Sequence, residues 1–292
     1  MRKRKIYIIL LVLLALGTAF FFKSDLENIF LLSKNKLADF KNNALGKIAK
    51  NIEQKVSTPP PLKHDSSTTF GNLTKLGTIS QTNIQRKDNG VVPLAENEKL
   101  DQSALLKAQD MLKGQYFAHI SPSGQGPSEL AGKVQYEFIA IGENLAMGSF
   151  SSDQDLVDAW MASPGHRENI LNKSFTEIGV AVAKGTFEGK TTWMAVQEFG
   201  VPAAVCPKVD ESLKAHIGSN QKQIDALLQT LTSRKNGLAS RNASKDPSYS
   251  SQISSYNSMV SQYNSLVETT KKMIGDYNGQ VNALNACVKN YQ

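Results

Sequence analysis

Three side chains in the middle of the chain have the residue types of a reactive or ligand-binding site. The sequence contains four histidines, and two of them, His119 and His166, lie on either side of Glu143. Two imidazoles and a carboxylate are a usual ligand set for zinc, with one coordination position left open. The same groups can also transfer protons in acid–base catalysis. Because the three residues are far apart in sequence, only a fold could bring them together.

A purely structural interpretation of these residues stays open. Each histidine could be a hydrogen-bonded polar residue of a compact fold, and Glu143 could hold two loops together. Asn144 and Asn169 are interpreted as loop-ordering residues that bond to backbone. Nucleophilic catalysis has little support, because no serine lies in a Gly-x-Ser-x-Gly turn. The sequence also lacks a phosphate-binding loop, a dinucleotide fingerprint and a CxxC pair.

Five separate blocks of sequence form a specific pattern. They read TNIQR, YFAHISP, GENLA, WMASPGHRENIL and IGV, at residues 82–86, 116–122, 142–146, 160–171 and 178–180. In this order they resemble the bacterial SCP-like branch of the CAP superfamily, which comprises cysteine-rich secretory proteins, antigen 5 and pathogenesis-related proteins. The resemblance covers about residues 75–201.

The resemblance implies an α-β-α sandwich in which both histidines line a cleft. It makes His119, Glu143 and His166 the cavity histidine, glutamate and histidine, which could hold a divalent metal such as zinc. Many eukaryotic members have a second cavity glutamate, three residues after a tryptophan. Counted from Trp160, that position is Ser163 here. The expected ligand set is therefore incomplete, and a mechanism that needs a carboxylate pair is disfavoured.

The elements that must position these residues follow from hydrophobic periodicity and turn signals. Three helices are predicted: residues 77–89, residues 100–116, and a segment capped by Ser152 or Asp153 and ended by Pro164-Gly165. His119 and His166 would each follow a helix end. Residues 178–183 and 191–199 have strand character. The mixture of helices and short strands predicts an α+β fold with a sandwich architecture.

The N-terminus is predicted to anchor the chain in a membrane. Residues 6–22 are an uncharged run behind a basic cluster at residues 2–5, and a helix of that length spans about 25 Å. The basic end should stay in the cytoplasm and the rest of the chain outside. A cleaved signal peptide is the rival interpretation, although the small residues at 17–19 are followed by three phenylalanines, which make a poor cleavage site.

The segment between anchor and domain is rich in lysine and then in proline. Residues 24–56 are predicted as a juxtamembrane amphipathic helix and residues 57–72, with three consecutive prolines, as an extended linker. Residues 1–66 carry 12 Lys and Arg against 5 Asp and Glu, whereas residues 67–206 carry 11 against 15. Because the positive excess lies outside the central domain, a nucleic-acid partner is disfavoured.

Residues 205–292 are predicted to form an antiparallel helical hairpin. In its second half, β-branched residues recur at sevens from Ile253 to Val288, and mostly tyrosines stand three positions later. A break at residues 242–247 lies about midway between Cys206 and Cys287, so a hairpin would bring the two cysteines together. Outside the cell a disulfide could persist there. Two free buried thiols, or pairing between chains, remain alternatives.

The predicted order is therefore a transmembrane anchor (1–23), a juxtamembrane helix (24–56), a linker (57–72), a CAP domain (73–204) and a helical hairpin closed by Cys206 and Cys287 (205–292). The favoured function is a membrane-anchored, extracytoplasmic, non-enzymatic binding module. Its cleft would take a small ligand, lipid or peptide, and its hairpin a protein partner or a second copy. The alternative is a metal-dependent hydrolase of envelope peptide or polysaccharide, with His119, Glu143 and His166 as the catalytic residues. A structural spacer with a vestigial cleft is a third hypothesis.

Overall fold

A computed structural model describes residues 55–64, 70–240 and 246–291. The predicted anchor at residues 1–23, and all but the last two residues of the helix predicted at 24–56, lie outside these ranges. Within the ranges, no helix combines the length and the apolar character that crossing a bilayer requires. The described residues divide into two units: Val209–Asn282, and the residues up to Lys208 together with those from Ala283 onwards.

The first two helices of the larger unit begin at side-chain caps. Helix α1 (Lys75–Asp88) starts where the Thr74 hydroxyl accepts a hydrogen bond from the amide of Gly77. Helix α2 (Glu98–Gly114) starts at Asn97, whose side chain accepts from two amides of the first turn. Both helices were predicted from periodicity, and their observed ends lie within two residues of the predicted ones. A short helix, α3 (Pro127–Lys133), follows.

The segment that carries His166 forms two consecutive helices. Helix α4 (Asp153–Ala162) is capped by the Ser152 hydroxyl, as predicted. It stops because Ser163 has an extended backbone and Pro164 offers no amide hydrogen. Proline suits the first position of a helix, however, and Pro164 opens helix α5 (Pro164–Leu171). His166 therefore lies in the first turn of a helix and not in a loop after one.

One mixed sheet contains the six described strands. In chain order they are β1 (Lys55–Ser57), β2 (Leu62–His64), β3 (Ala95–Glu96), β4 (Phe138–Gly148), β5 (Glu177–Phe187) and β6 (Lys190–Pro202). Strand β6 lies between β4 and β5 and is antiparallel to both, whereas β1, β2 and β3 add short parallel pairings at the edges. The strands predicted at 178–183 and 191–199 are confirmed as parts of β5 and β6. Strand β4 was not predicted.

Helices cover both faces of this sheet. Along β6, Trp193, Ala195 and Phe199 join the core that contains the apolar residues of α1, α4 and α5. Met194 and Val196 alternate with them and pack with the apolar residues of α2. Because successive side chains of a strand point to opposite faces, β6 contributes to two separate cores, one on each face of the sheet. This arrangement is the predicted α-β-α sandwich.

The first described segment, residues 55–64, is here called the strap. Its two ends pair in parallel with β4: β1 with residues 140–142 and β2 with residues 146–148. Between these ladders lie Pro59, Pro60 and Pro61, which have no amide hydrogen to donate. The sequence indicated an extended linker here. The segment is extended, but it belongs to the edge of the folded sheet.

The smaller unit is built from helix α6 (Glu211–Ala239) and helix α7 (Tyr249–Lys289), the latter up to Asn282. Hydrogen bonds join Asn220 to Met273 and Arg234 to Ser255, so the two helices run antiparallel. The predicted heptad positions are buried: Ile217, Ile224, Leu231 and Leu238 in α6, and Ile253, Val260, Val267, Ile274 and Val281 in α7. Coiled-coil packing itself stays a prediction.

The two cysteines form the predicted disulfide. The Cα atoms of Cys206 and Cys287 are 5.7 Å apart, and the bond is formed within the chain. Both residues belong to the larger unit, where Cys206 is buried in the core with Val288. The last turns of α7 are therefore part of the larger unit's core.

Candidate functional site

The central contact of the site joins His119 to Glu143. His119 lies in the turn after α2, and its Nδ1 is 2.6 Å from Oε1 of Glu143, a fully buried residue of β4. The other ring nitrogen, Nε2, is 2.5 Å from the backbone carbonyl oxygen of Pro59 in the strap. Because a carbonyl oxygen can only accept, Nε2 must carry a hydrogen. Glu143 thus orients a ring that donates a hydrogen bond to a peptide carbonyl.

A second buried carboxylate, Glu198, stands directly opposite Glu143 on β6. Directly opposed residues of antiparallel strands share one face of the sheet, which here is the face covered by α2. The Ser103 hydroxyl of α2 donates to Oε1 of Glu198 at 2.9 Å. Burial, followed by the charge of Glu143, raises the pKa of Glu198 well above its usual range. The site therefore favours a protonated carboxyl next to Glu143.

Lys107 of α2 supplies a buried positive charge to the same face. Its Nζ donates to the backbone carbonyl oxygen of His119 at 2.5 Å, and its side chain has no exposed surface. Burial lowers the pKa of Lys107, and the neighbouring carboxyl groups of Glu143, Asp110 and Glu198 partly raise it again. Lys107 thus holds the turn that carries His119 and offsets the charge of the carboxylates.

His166 is buried in the first turn of α5. Its Nδ1 is 2.8 Å from the Ser163 hydroxyl oxygen, whereas its Nε2 has no hydrogen-bond partner. Burial lowers the pKa of His166 to about 4; the charge of His119 adds to this shift, and the Leu145 backbone partly opposes it. The ring is therefore neutral at physiological pH.

Two asparagines connect His166 to the strap on the opposite face of the sheet. Asn144 follows Glu143 in β4, so its side chain points the other way, and its Nδ2 donates to the His166 carbonyl oxygen at 3.1 Å. Asn169 donates to Oδ1 of Asn144 at 3.0 Å and to the carbonyl oxygen of Ser57 at 3.2 Å. The predicted contacts to backbone are present. Asn144, however, lies in a central strand and not in a loop.

The structure thus brings His119 and Glu143 into direct contact, and His166 is close enough for the charge of His119 to lower its pKa. Among the described residues, no hydrogen bond joins His166 to either of the other two. The same part of the chain contains no group of three or more His, Cys, Asp or Glu side chains arranged to hold a metal ion. Both nitrogens of His119 are engaged in hydrogen bonds in this arrangement, and we derive no chemistry through a metal. Metal binding by the three residues stays a prediction.

Sequence reasoning missed Glu198, Lys107 and Pro59. Glu198 had a weak signal, since Gln197-Glu198 interrupts the otherwise apolar run that forms β6. Lys107 had none, because a lysine in an amphipathic helix is usually solvated. Pro59 was assigned to a linker because three prolines together are typical of one.

Comparison with known proteins identifies the central part of the larger unit. Residues 79–199 match the model of the cysteine-rich secretory protein family, CAP. The chain carries a CAP domain. This domain includes every candidate site residue described above except those of the strap.

Two curated relatives, both from Bacillus subtilis strain 168, match part of the chain. The uncharacterized protein YkwD is 39% identical over 115 residues, which are 39% of this chain and 43% of YkwD. The uncharacterized membrane protein YlbC is 29% identical over 104 residues, which are 36% of this chain and 30% of YlbC. The chain therefore spans less than half the length of these relatives.

A solved structure with an SCP domain also matches. It is an extracellular protein from Bacillus anthracis, 28% identical, and the match covers 43% of this chain and 41% of that protein with a TM-score of 0.37.

Proposed function

We propose that this chain is a membrane-anchored, extracytoplasmic protein whose CAP domain is a non-enzymatic binding module. The contact between Nε2 of His119 and the Pro59 carbonyl oxygen supports this function. Glu143 fixes the ring by its other nitrogen, so the N–H is preorganised for a carbonyl acceptor. The ligand therefore presents a carbonyl oxygen to His119, as a peptide or another amide does.

The proposed location has separate support. The uncharged run at residues 6–22 follows a basic cluster, and the relative YlbC is named a membrane protein. The Cys206–Cys287 disulfide is of a kind that persists in oxidising compartments. These observations favour a chain whose CAP domain lies outside the cytoplasm.

Hydrolysis is less well supported than binding. A histidine that activates a nucleophile needs a basic, unprotonated nitrogen, and Nε2 of His119 carries a hydrogen. Ser163 and His166 are in hydrogen-bond contact, as a nucleophile and its base would be. With a pKa of about 4, however, His166 is a weak base at neutral pH.

The test uses the full chain in detergent on an array of immobilised decapeptides. The wild type should bind a subset of the peptides and leave them intact. His119→Phe removes the N–H while keeping a flat ring, and should weaken binding at least about tenfold, as expected for a lost hydrogen bond that leaves its acceptor unpaired. The matched control is His216→Phe, a change at an exposed histidine of α6.

Two results would contradict the proposal. Equal binding by the wild type and His119→Phe would remove His119 from recognition. Cleavage of the peptides, stopped by a chelator, would favour the metal-dependent hydrolase instead.

A further inference from the structure

The strap lies on the sheet in the way that a bound peptide adds a strand to an exposed edge. Its two ladders with β4 each cover three residues. At the C-terminal end of the strap, the His64 carbonyl oxygen accepts a hydrogen bond from the amide of Ser149 at 3.1 Å. At the N-terminal end of the strap, the Ser57 carbonyl oxygen accepts a hydrogen bond from Nδ2 of Asn169. Backbone atoms of the strap thus make these polar contacts, as the backbone does when a peptide adds a strand to a sheet.

Three strap side chains pack on the domain: Leu62 contacts the core, His64 stacks on Phe150, and Pro59 fills a pocket near His119. Pro59 is buried, while the neighbouring Pro60 is exposed. Pro59 packs against Gly165 in the first turn of α5, where an added Cβ would come within 2.7 Å of the proline Cβ. Only a residue without a side chain leaves room there for the ring. The groove therefore has a proline-sized pocket next to the hydrogen-bond donor of His119.

The strap leaves several buried polar atoms of this neighbourhood unsatisfied. Oε2 of Glu143, Nε2 of His166 and Oδ1 of Asn169 have no hydrogen-bond partner, although His119 and Asn169 both contact the strap. Two of these atoms are acceptors, and residues 59–61 of the strap have no amide hydrogen to offer them. An unsatisfied buried polar atom costs about 1–3 kcal/mol. A peptide with amide hydrogens after the first proline can supply the missing donors.

We propose that the edge of β4 between His119 and α5 is a peptide-binding groove, and that the strap is its built-in, displaceable occupant. The external ligand is an extended peptide with proline in the position of Pro59, followed by residues that retain their amide hydrogens. It pairs with β4, donates to the unsatisfied acceptors and takes the hydrogen bond of His119. This inference rests on the binding function proposed above, and it adds that the resting protein is self-occluded.

The test compares two adjacent prolines with opposite burial. Pro59→Asp places a charge in the pocket and should release the strap, whereas Pro60→Asp changes an exposed residue and should not. The probe is a labelled decapeptide with the sequence of residues 55–64 in which Pro60 and Pro61 are replaced by alanine, titrated by anisotropy against the full chain. Pro59→Asp should bind it at least about tenfold more tightly than the wild type or Pro60→Asp, because the competing segment is gone.

Amide hydrogen exchange of residues 138–149 measures, without any ligand, whether the strap still covers the edge of β4. Exchange should be faster in Pro59→Asp than in Pro60→Asp, and the probe should restore protection. If exchange rises and the probe does not bind, the groove is not a peptide site and the inference is overturned. The array experiment decides the binding function separately, because a ligand could displace only the Pro59 carbonyl oxygen from His119 while β1 and β2 stay paired with β4.

A second design avoids dependence on the folding of Pro59→Asp. A protease site inserted within residues 65–69 allows the strap to be cut from the folded domain. The severed N-terminal fragment should stay bound and then be released by excess probe, as measured by size exclusion in detergent. A fragment that resists a large excess of probe would identify the strap as a permanent strand and overturn the inference.

Discussion

Four ionisable side chains, Lys107, His119, Glu143 and Glu198, share the face of the sheet covered by α2. Lys107, Glu143 and Glu198 are fully buried there, and the side chain of His119, in contact with Glu143, is 10% exposed. In such surroundings each charge is costly unless a neighbour compensates it. Glu198 is the least compensated, since it faces another carboxylate and one of its oxygens has no partner.

Replacing Glu198 by glutamine should stabilise the protein at neutral and alkaline pH. The folded-state pKa of Glu198 lies above its unfolded value, so the folded state loses stability as pH rises from about 4.5 through that higher pKa. Gln keeps the acceptor for Ser103 and removes the charge. We expect a gain of about 1–3 kcal/mol at pH 8, and little change at pH 4.5, in urea unfolding. The exposed Glu168 provides the control, Glu168→Gln, and an equal gain at both pH values would contradict the explanation.

His166 should make the protein less stable as the pH falls. Its folded-state pKa of about 4 lies below the ordinary value, so the unfolded chain binds the extra proton first. The contribution of His166 to the free energy of unfolding is fully present above about pH 6.5. It is lost as the pH falls to about 4, by up to roughly 3 kcal/mol. NMR titration of the ring measures this pKa directly. A value near 6.5 would mean that the ring is solvated, and His166→Gln should flatten this part of the pH profile.

At the scale of elements, one buried arginine joins α1 to the segments that follow it. Arg86 donates from Nε to Val92, from Nη1 to Ile170 and Asn172, and from Nη2 to Phe175, in every case to a backbone carbonyl oxygen. Two of these carbonyls belong to the end of α5, where a positive charge is favourable. Burial lowers the pKa of Arg86 to about 10, which still leaves it charged at neutral pH.

Arg86→Lys should therefore be costly although it preserves the charge. A lysine has one nitrogen in place of the guanidinium fork and cannot reach four carbonyl oxygens at once. We expect a loss of about 2–4 kcal/mol in urea unfolding, since buried carbonyls are left unpaired. Arg167→Lys, at an exposed arginine of α5, should cost less than about 0.5 kcal/mol. Similar losses in the two variants would show that the carbonyl contacts contribute little.

For the whole molecule, the disulfide is the covalent long-range constraint among the described residues. It joins residues 81 positions apart, and everything between them, including α6 and most of α7, is a closed loop. The double variant Cys206→Ser, Cys287→Ser should lose about 4 kcal/mol on the loop-entropy estimate. This loss of stability is measured by urea unfolding of the oxidised wild type, the reduced wild type and the variant. If reduction leaves the unfolding midpoint unchanged, the core around Val288 and not the bond holds this end of the chain.

The sequence by itself determined the resemblance to a CAP domain, the two main helices of that domain, strands β5 and β6, and the disulfide. Each of these rests on a local signal: motif blocks in a fixed order, helical periodicity with a capping residue, alternation along a strand, or a pair of cysteines around a hairpin break. The same signals failed for β4, where Gly142, Glu143 and Asn144 are poor strand formers. That strand forms because β6 and the strap pair with it on both sides.

Only the tertiary structure decided the composition of the site. The register of β4 and β6 sets Glu143 opposite Glu198, and alternation along β4 directs Asn144, with its bond to His166, to the other face. His119 contacts Glu143 and also binds Pro59, a residue 60 positions earlier. Contacts across such distances depend on sheet register and on which side of a strand each residue faces. A shift of one residue would reverse those faces, so no local pattern in the sequence specifies them.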